Sequence, residues 1–138
     1  MFEFMYKLSR KSAVMNKLLQ FVYKCEIPRA AQIGNDVTFN HKGLGVVIHP
    51  NSQIEDNVYI EHHVCLGQRT GTDTAAPVIR KNTVIGAYSV ILGGGVEIGE
   101  GCVIGACSLV LHDIPAHTIF YNERTEKTKE NHKPIGQY

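Results

Sequence analysis

Hydrophobic positions in the central part of the chain recur every six residues. Ile48, Ile54, Ile60 and Leu66 form one run, Ile79, Ile85 and Ile91 a second, and Ile98, Ile104 and Val110 a third. A period of six matches neither the 3.6-residue turn of a helix nor the simple alternation of an amphipathic strand. It suits a chain wound into triangular coils of three short strands, each sending one aliphatic side chain inward. The pattern predicts an all-β solenoid, a parallel β-helix of hexapeptide repeats, with one aliphatic column as its core and about four coils between Ile27 and Val110.

The first residues follow a different rule. Met5, Leu8, Met15, Leu18, Leu19 and Val22 recur at helical spacing, interrupted only at Ser12. They predict an N-terminal α-helix over 2–24. Lys7, Arg10, Lys11, Lys17 and Lys24 oppose a single acid there, Glu3. Such a helix is suited to a peripheral membrane surface, or to capping the open end of the coil, which a solenoid requires for solubility; the cap is the preferred reading. The expected organisation is one domain, with a helical cap at 1–24, a β-helix at 25–120 carrying an excursion loop at 68–77, and a charged tail at 121–138.

The hexad phase slips three times. It is lost across His41-Lys42-Gly43-Leu44-Gly45, again between Leu66 and Ile79, and by one residue at Gly93-Gly94-Gly95. Excursions from a regular scaffold are where binding groups are placed, so the first two slips are the candidate site. His41 stands at the first. His62 and His63 are expected side by side on a strand, pointing to opposite faces of the wall. His49, His112, His117 and His132 are expected at corners or on the surface.

Composition adds limits. The 138 residues, 43% hydrophobic and 20% charged, describe one ordinary globular domain, and a formal charge of +1 gives no reason to expect nucleic acid as a partner. Four cysteines without a CxxC pair, no apolar span and no signal-like N-terminus lead to the expectation of a cytoplasmic protein with reduced thiols.

The segments Glu26-Ile27-Pro28, Ile33-Gly34 and Asn40-His41-Lys42-Gly43-Leu44-Gly45-Val46-Val47-Ile48 resemble the serine O-acetyltransferase type of hexapeptide acyltransferase. They are closest to the short versions associated with bacterial polysaccharide synthesis. The resemblance continues through Val64-Cys65-Leu66-Gly67, Val84-Ile85-Gly86-Ala87 and Val103-Ile104-Gly105-Ala106-Cys107-Ser108 to Val110-Leu111-His112-Asp113-Ile114-Pro115. It implies a left-handed β-helix assembled as a homotrimer, with acetyl-CoA as donor, no metal, and active sites between protomers. It makes His41 the general base and Glu26, where the family usually has Asp, the acid that orients it. Gly67 marks the oxyanion donors, and Asn40 stands where the family has Asp beside its catalytic His, at the acceptor. Gly86, Ala87, Gly105 and Ala106 line the pantetheine arm. Arg80, Lys81, Arg124, Lys127 and Lys129 are candidate phosphate partners.

The chemistry is sound independently of the family. A positioned imidazole can take the proton of a hydroxyl as its oxygen attacks a thioester, then return it to the leaving thiolate. Cys65 as an acyl-carrying nucleophile lacks an adjacent base. Serine acetyltransferases hold the serine carboxylate with an Arg-His pair before the Pro that ends the excursion; here Ala75-Ala76 precede Pro77. Losing that charge-assisted clamp favours a saccharide hydroxyl as acceptor, with serine as the alternative. A zinc hydratase of the γ-carbonic anhydrase kind, built on His112 and His117, and a non-catalytic scaffold are the remaining readings.

Overall fold

The structure, a computed structural model, describes residues 1–69 and 75–123. The strands are two or three residues long and wind in register. Strands β1 (Gln32–Ile33), β2 (Thr38–Phe39) and β3 (Val47–Ile48) make the first coil; β4 (Gln53–Ile54), β5 (Tyr59–Ile60) and β6 (Cys65–Gly67) the second. The third is β7 (Val78–Ile79), β8 (Val84–Ile85) and β9 (Val90–Leu92); the fourth is β10 (Glu97–Ile98), β11 (Val103–Ile104) and β12 (Leu109–Val110), followed by β13 (Ile119–Phe120). Stacking gives three parallel sheets, β1-β4-β7-β10, β13-β11-β8-β5-β2 and β12-β9-β6-β3. The parallel solenoid of about four coils expected from the hexads is the observed fold.

Every aliphatic residue of the three runs points inward, and none is more than 3% exposed. The core is nonetheless not one column. Two residues before each inward aliphatic lies a second buried, smaller residue: Val46, Ser52, Val58, Val64, Pro77, Thr83, Ser89, Val96, Cys102 and Ser108. Three of the buried hydroxyls find carbonyls of the coil: Thr83 Oγ1 donates to Gly99 O at 3.0 Å, Ser89 Oγ to Gly105 O at 2.9 Å and Ser108 Oγ to Gly105 O at 2.6 Å, while Ser52 Oγ has no partner among the described residues.

The corners explain where the coil tolerates side chains. Asp36, Asn57 and Asn82 occupy one ladder of corners and Gly45, His63, Tyr88 and Cys107 another, all with positive φ. Asn and Asp adopt this region most readily. Tyr88 and Cys107 are less usual there, so the second ladder carries side chains where a turn alone would favour Gly or Asn.

The N-terminal segment is two helices, not one. Helix α1 (Phe2–Lys11) ends at Ser12, whose extended backbone starts α2 (Ala13–Tyr23) and whose Oγ accepts from Met15 N. Ser12, the single gap in the apolar stripe, is thus an N-cap. The break lets both helices fold over the open end of the coil. Phe2 and Leu19 join the core, Asn16 Nδ2 donates to Ile27 O at 2.9 Å, and the Arg10 guanidinium donates to Pro28 O, Arg29 O and Ala31 O at 2.8, 3.1 and 2.6 Å. The cap is what the structure shows. No helix among the described residues is long and apolar enough to cross a membrane.

Candidate active site

The first slip in phase becomes a short 3-10 turn, Asn40–Gly43, at the corner between β2 and β3. His41 and Lys42 both have left-handed backbone there (φ 50° and 60°), so the turn lifts the exposed His41 ring out of the wall. Sheet register then decides its neighbours. Phe39 pairs with Ile60, and carrying that register forward places Asn40 over Glu61 and His41 over His62, one coil away. Asn40 Nδ2 donates to Glu61 Oε1 at 2.6 Å. Glu61 Oε2 lies 3.8 Å from His62 Nδ1, and the His62 ring meets His41 edge-on, with centroids 4.7 Å apart at 77°.

This corrects the expectation for His62 and His63. They form the corner after β5 rather than a strand, so their rings lie on one side, 5.5 Å apart. His63 stacks on Tyr88 of the next coil at 4.6 Å and 5°. Gly45 makes this possible, since a Cβ there would sit on the His63 ring. Glu61, His62, His63 and Tyr88 were therefore missed as site residues. The signal that finds them is a separation of one coil from Asn40 and His41, which becomes visible only once the register is known.

Glu26 is placed elsewhere. It bridges to Val47, which pairs with Cys65, so Glu26, Val47 and Cys65 form an outward column on the β3 sheet. Among the described residues no hydrogen bond or ion pair joins Glu26 to His41, and the carboxylate grouped with His41 is Glu61. The charge of Glu26 acts instead on Cys65, whose thiol is raised above its ordinary value by burial first and by Glu26 second. A raised thiol is a poor nucleophile, in keeping with the dismissal of Cys65.

Several other expected residues have structural duties. A Cβ on Gly86 would come within 2.5 Å of Ala106 N in the next coil, and one on Gly105 within 3.3 Å of Phe120 O. Gly86 is required for the coils to stack and Gly105 sits at a tight contact; Ala87 and Ala106 remain partly or fully open to solvent. Arg80 is held by Glu97 through Nε and Nη2 at 2.8 and 2.9 Å and by Glu55 at 2.7 Å, and Lys81 Nζ is 3.7 Å from Glu100. Both cations thus have carboxylate partners where free phosphate ligands were expected. Arg124, Lys127 and Lys129 lie outside the described residues. Gly67 ends β6, opposite Leu92, directly before the excursion. At the far side of that excursion Ala76 is buried and Ala75 exposed. His112 and His117 are exposed at the last coil; His112 Nδ1 contacts Asp113 O at 3.0 Å, and neither joins a group of metal-ligating side chains among the described residues.

Residues 76–112 match the bacterial transferase hexapeptide family (six repeats). That stretch, covering β7 to β12, is similar to transferase hexapeptide repeats. Over 107 residues the chain is 41% identical to the serine acetyltransferase of Buchnera aphidicola subsp. Schizaphis graminum, covering 75% of this chain and 40% of that one. It is also similar to the serine acetyltransferase of Brucella abortus strain S19 in complex with coenzyme A (32% identity, TM-score 0.67, 83% of this chain and 46% of that one). Soybean serine acetyltransferase complexed with serine gives 36% identity and a TM-score of 0.72, with 83% of this chain and 49% of that one covered. The chain therefore spans less than half the length of these relatives. By name each of these relatives is a serine acetyltransferase, the kind of enzyme ranked second in the reading of the sequence.

Proposed function

We propose that the protein is an acetyl-CoA-dependent O-acetyltransferase of the serine acetyltransferase kind, with His41 as general base. The observation that carries this reading is an exposed imidazole presented by a left-handed turn on a coil similar to serine acetyltransferases over most of the chain. His41 takes the acceptor hydroxyl proton as the oxygen bonds to the thioester carbonyl carbon. The resulting tetrahedral oxyanion collapses, the C–S bond breaks, and the imidazolium protonates the departing thiolate. The Asn40–Glu61–His62 group fixes the residue preceding His41 and borders its ring, the positioning task that the resemblance assigned to Glu26. Gly67 and the backbone amides beside it are proposed as oxyanion donors. Homotrimer assembly, expected from the resemblance, would bring a neighbour's coil against this corner. The exposed outer positions Val47, Tyr59, Val103 and Leu109 offer apolar surface for it.

A second acceptor reading rests on a specific observation. Where a serine enzyme has its Arg-His pair, this chain has Ala75 and a buried Ala76, and Asn40 is committed to Glu61. No carboxylate clamp is present at these positions, which favours an acceptor without a carboxylate, such as a saccharide hydroxyl.

Thiol release from acetyl-CoA, followed with L-serine and with a panel of sugars, tests both. Turnover with serine that falls by about 10²–10⁴-fold in His41→Asn supports the first reading; asparagine keeps the left-handed backbone accessible. Turnover with sugars alone supports the second. Acceptor-independent release, or full activity in His41→Asn, removes the mechanism.

A further inference from the structure

The group beside the proposed base has an unexplained feature. His62 Nδ1 is buried as an atom and has no hydrogen-bond partner, although an acceptor, Glu61 Oε2, stands 3.8 Å away. A buried polar atom without a partner calls for an explanation, and an ion is one. The 3.8 Å gap is too long for a hydrogen bond. It lies close to the ligand-to-ligand edge of a tetrahedral zinc shell, about 3.4 Å for bonds of roughly 2.1 Å. His41, Glu61 and His62 each offer one ligand atom, all within 4.8 Å of one another. His41 is exposed, so a small side-chain rotation can close the remaining distance.

We propose that His41, Glu61 and His62 form a binding site for a divalent transition-metal ion of the zinc or cobalt class. Two imidazoles and one carboxylate are a borderline donor set that prefers such ions to Ca²⁺ or Mg²⁺. Glu61 is prepared for the role. One carboxylate oxygen is held by Asn40 at 2.6 Å while the other lies on the His62 side, 3.8 Å from Nδ1, the outer-shell hydrogen bonding that orients carboxylate ligands. Three protein ligands leave a fourth position open to solvent or substrate. Because one ligand is His41, the ion would occupy the lone pair needed for proton abstraction and so inhibit acetyl transfer. That consequence, unlike the binding itself, rests on the proposed function.

Co²⁺ titration of the purified protein, read by visible absorption, tests the site without any enzymatic substrate. The expected result is roughly one ion per chain with the intense bands of low-coordinate Co²⁺, and affinity reduced about tenfold or more in His62→Ala and in the near-isosteric Glu61→Gln. His112→Ala should bind as the parent does. Absence of binding, or binding that Glu61→Gln and His62→Ala leave unchanged, overturns the site; thermal melts of each variant establish that it is folded. Zn²⁺ added to the acetyl-CoA assay should suppress turnover, and EDTA should restore it. Co²⁺ binding at these residues without any acetyl transfer keeps the site and removes the acetyltransferase reading. Acetyl transfer without Co²⁺ binding does the reverse, and transfer that continues with the ion bound removes the inhibition.

Discussion

Asn40 donates to Glu61 across one coil, Nδ2 to Oε1 at 2.6 Å, although the two are 21 residues apart in the chain. The contact ties the turn bearing His41 to the corner bearing His62. It also explains why an amide suits position 40 where the family has a carboxylate: a second acid would face Glu61 with no donor between them. Asn40→Asp should therefore destabilise the protein by about 1–3 kcal/mol through a lost charge-assisted bond and unfavourable like charges. Adding Glu61→Gln should restore most of the loss by supplying an amide donor. Urea unfolding of the single and double variants measures the coupling.

Arg10 closes the end of the solenoid by donating to three consecutive-region carbonyls, those of Pro28, Arg29 and Ala31. Arg10→Ala leaves the part-buried carbonyls without that donor, and a loss of about 1–3 kcal/mol is expected. Arg10→Lys should recover only part of it, because a point ammonium cannot reproduce the planar fork. Thermal or urea melts decide this, and equal stability of all three proteins would remove the capping role.

The free thiols should react in an order set by burial. Cys107 is exposed, whereas Cys25 and Cys102 are buried, and burial pushes the Cys25 thiol up to about 11. At pH 8 only about one Cys25 in a thousand is thiolate, the reactive form. Ellman labelling of the native protein should modify Cys107 first, with Cys25 reacting only on unfolding. Rapid native labelling of Cys25 would contradict its place beneath the helices.

The Glu55–Arg80–Glu97 ladder should make stability fall in acid. Both carboxyls are held below their ordinary range, chiefly by hydrogen bonds from the Arg80 side chain. With folded values depressed, their contribution is fully present above the unfolded values of about 4.3. It is lost as pH falls through the lower folded values. Arg80→Gln should accordingly melt below the parent at neutral pH, and the gap should shrink as pH falls below about 4.3. The groups are substantially exposed, with side chains 39–44% accessible, so added salt should also narrow it. A gap constant with pH would mean that packing rather than charge accounts for Arg80.

Much of this was legible in the chain. Ile48 to Val110 announce their inward direction because an inward position recurs at a fixed interval, whatever coil it belongs to. His41 stands out for the same reason, as the residue at which the interval fails. The second column of small core residues, Val58 or Ser89 for example, was not legible. Its members mix hydroxyls with aliphatics, and the carbonyls that receive Thr83 and Ser89 belong to the next coil, 16 residues away.

By itself the sequence determined the solenoid, its number of coils, the helical cap and the position of the exposed imidazole, all consequences of local periodicity and its breaks. Tertiary structure decided what surrounds that imidazole. Glu26 lies 15 residues before His41 in the chain yet on a different sheet column, beside Val47 and Cys65. Glu61 and His62 arrive one full coil later and meet Asn40 and His41 directly. Neighbours in a solenoid are set by the residues per coil, and irregular corners and excursions vary that number. The partners of a site residue therefore follow from the folded register rather than from spacing along the chain.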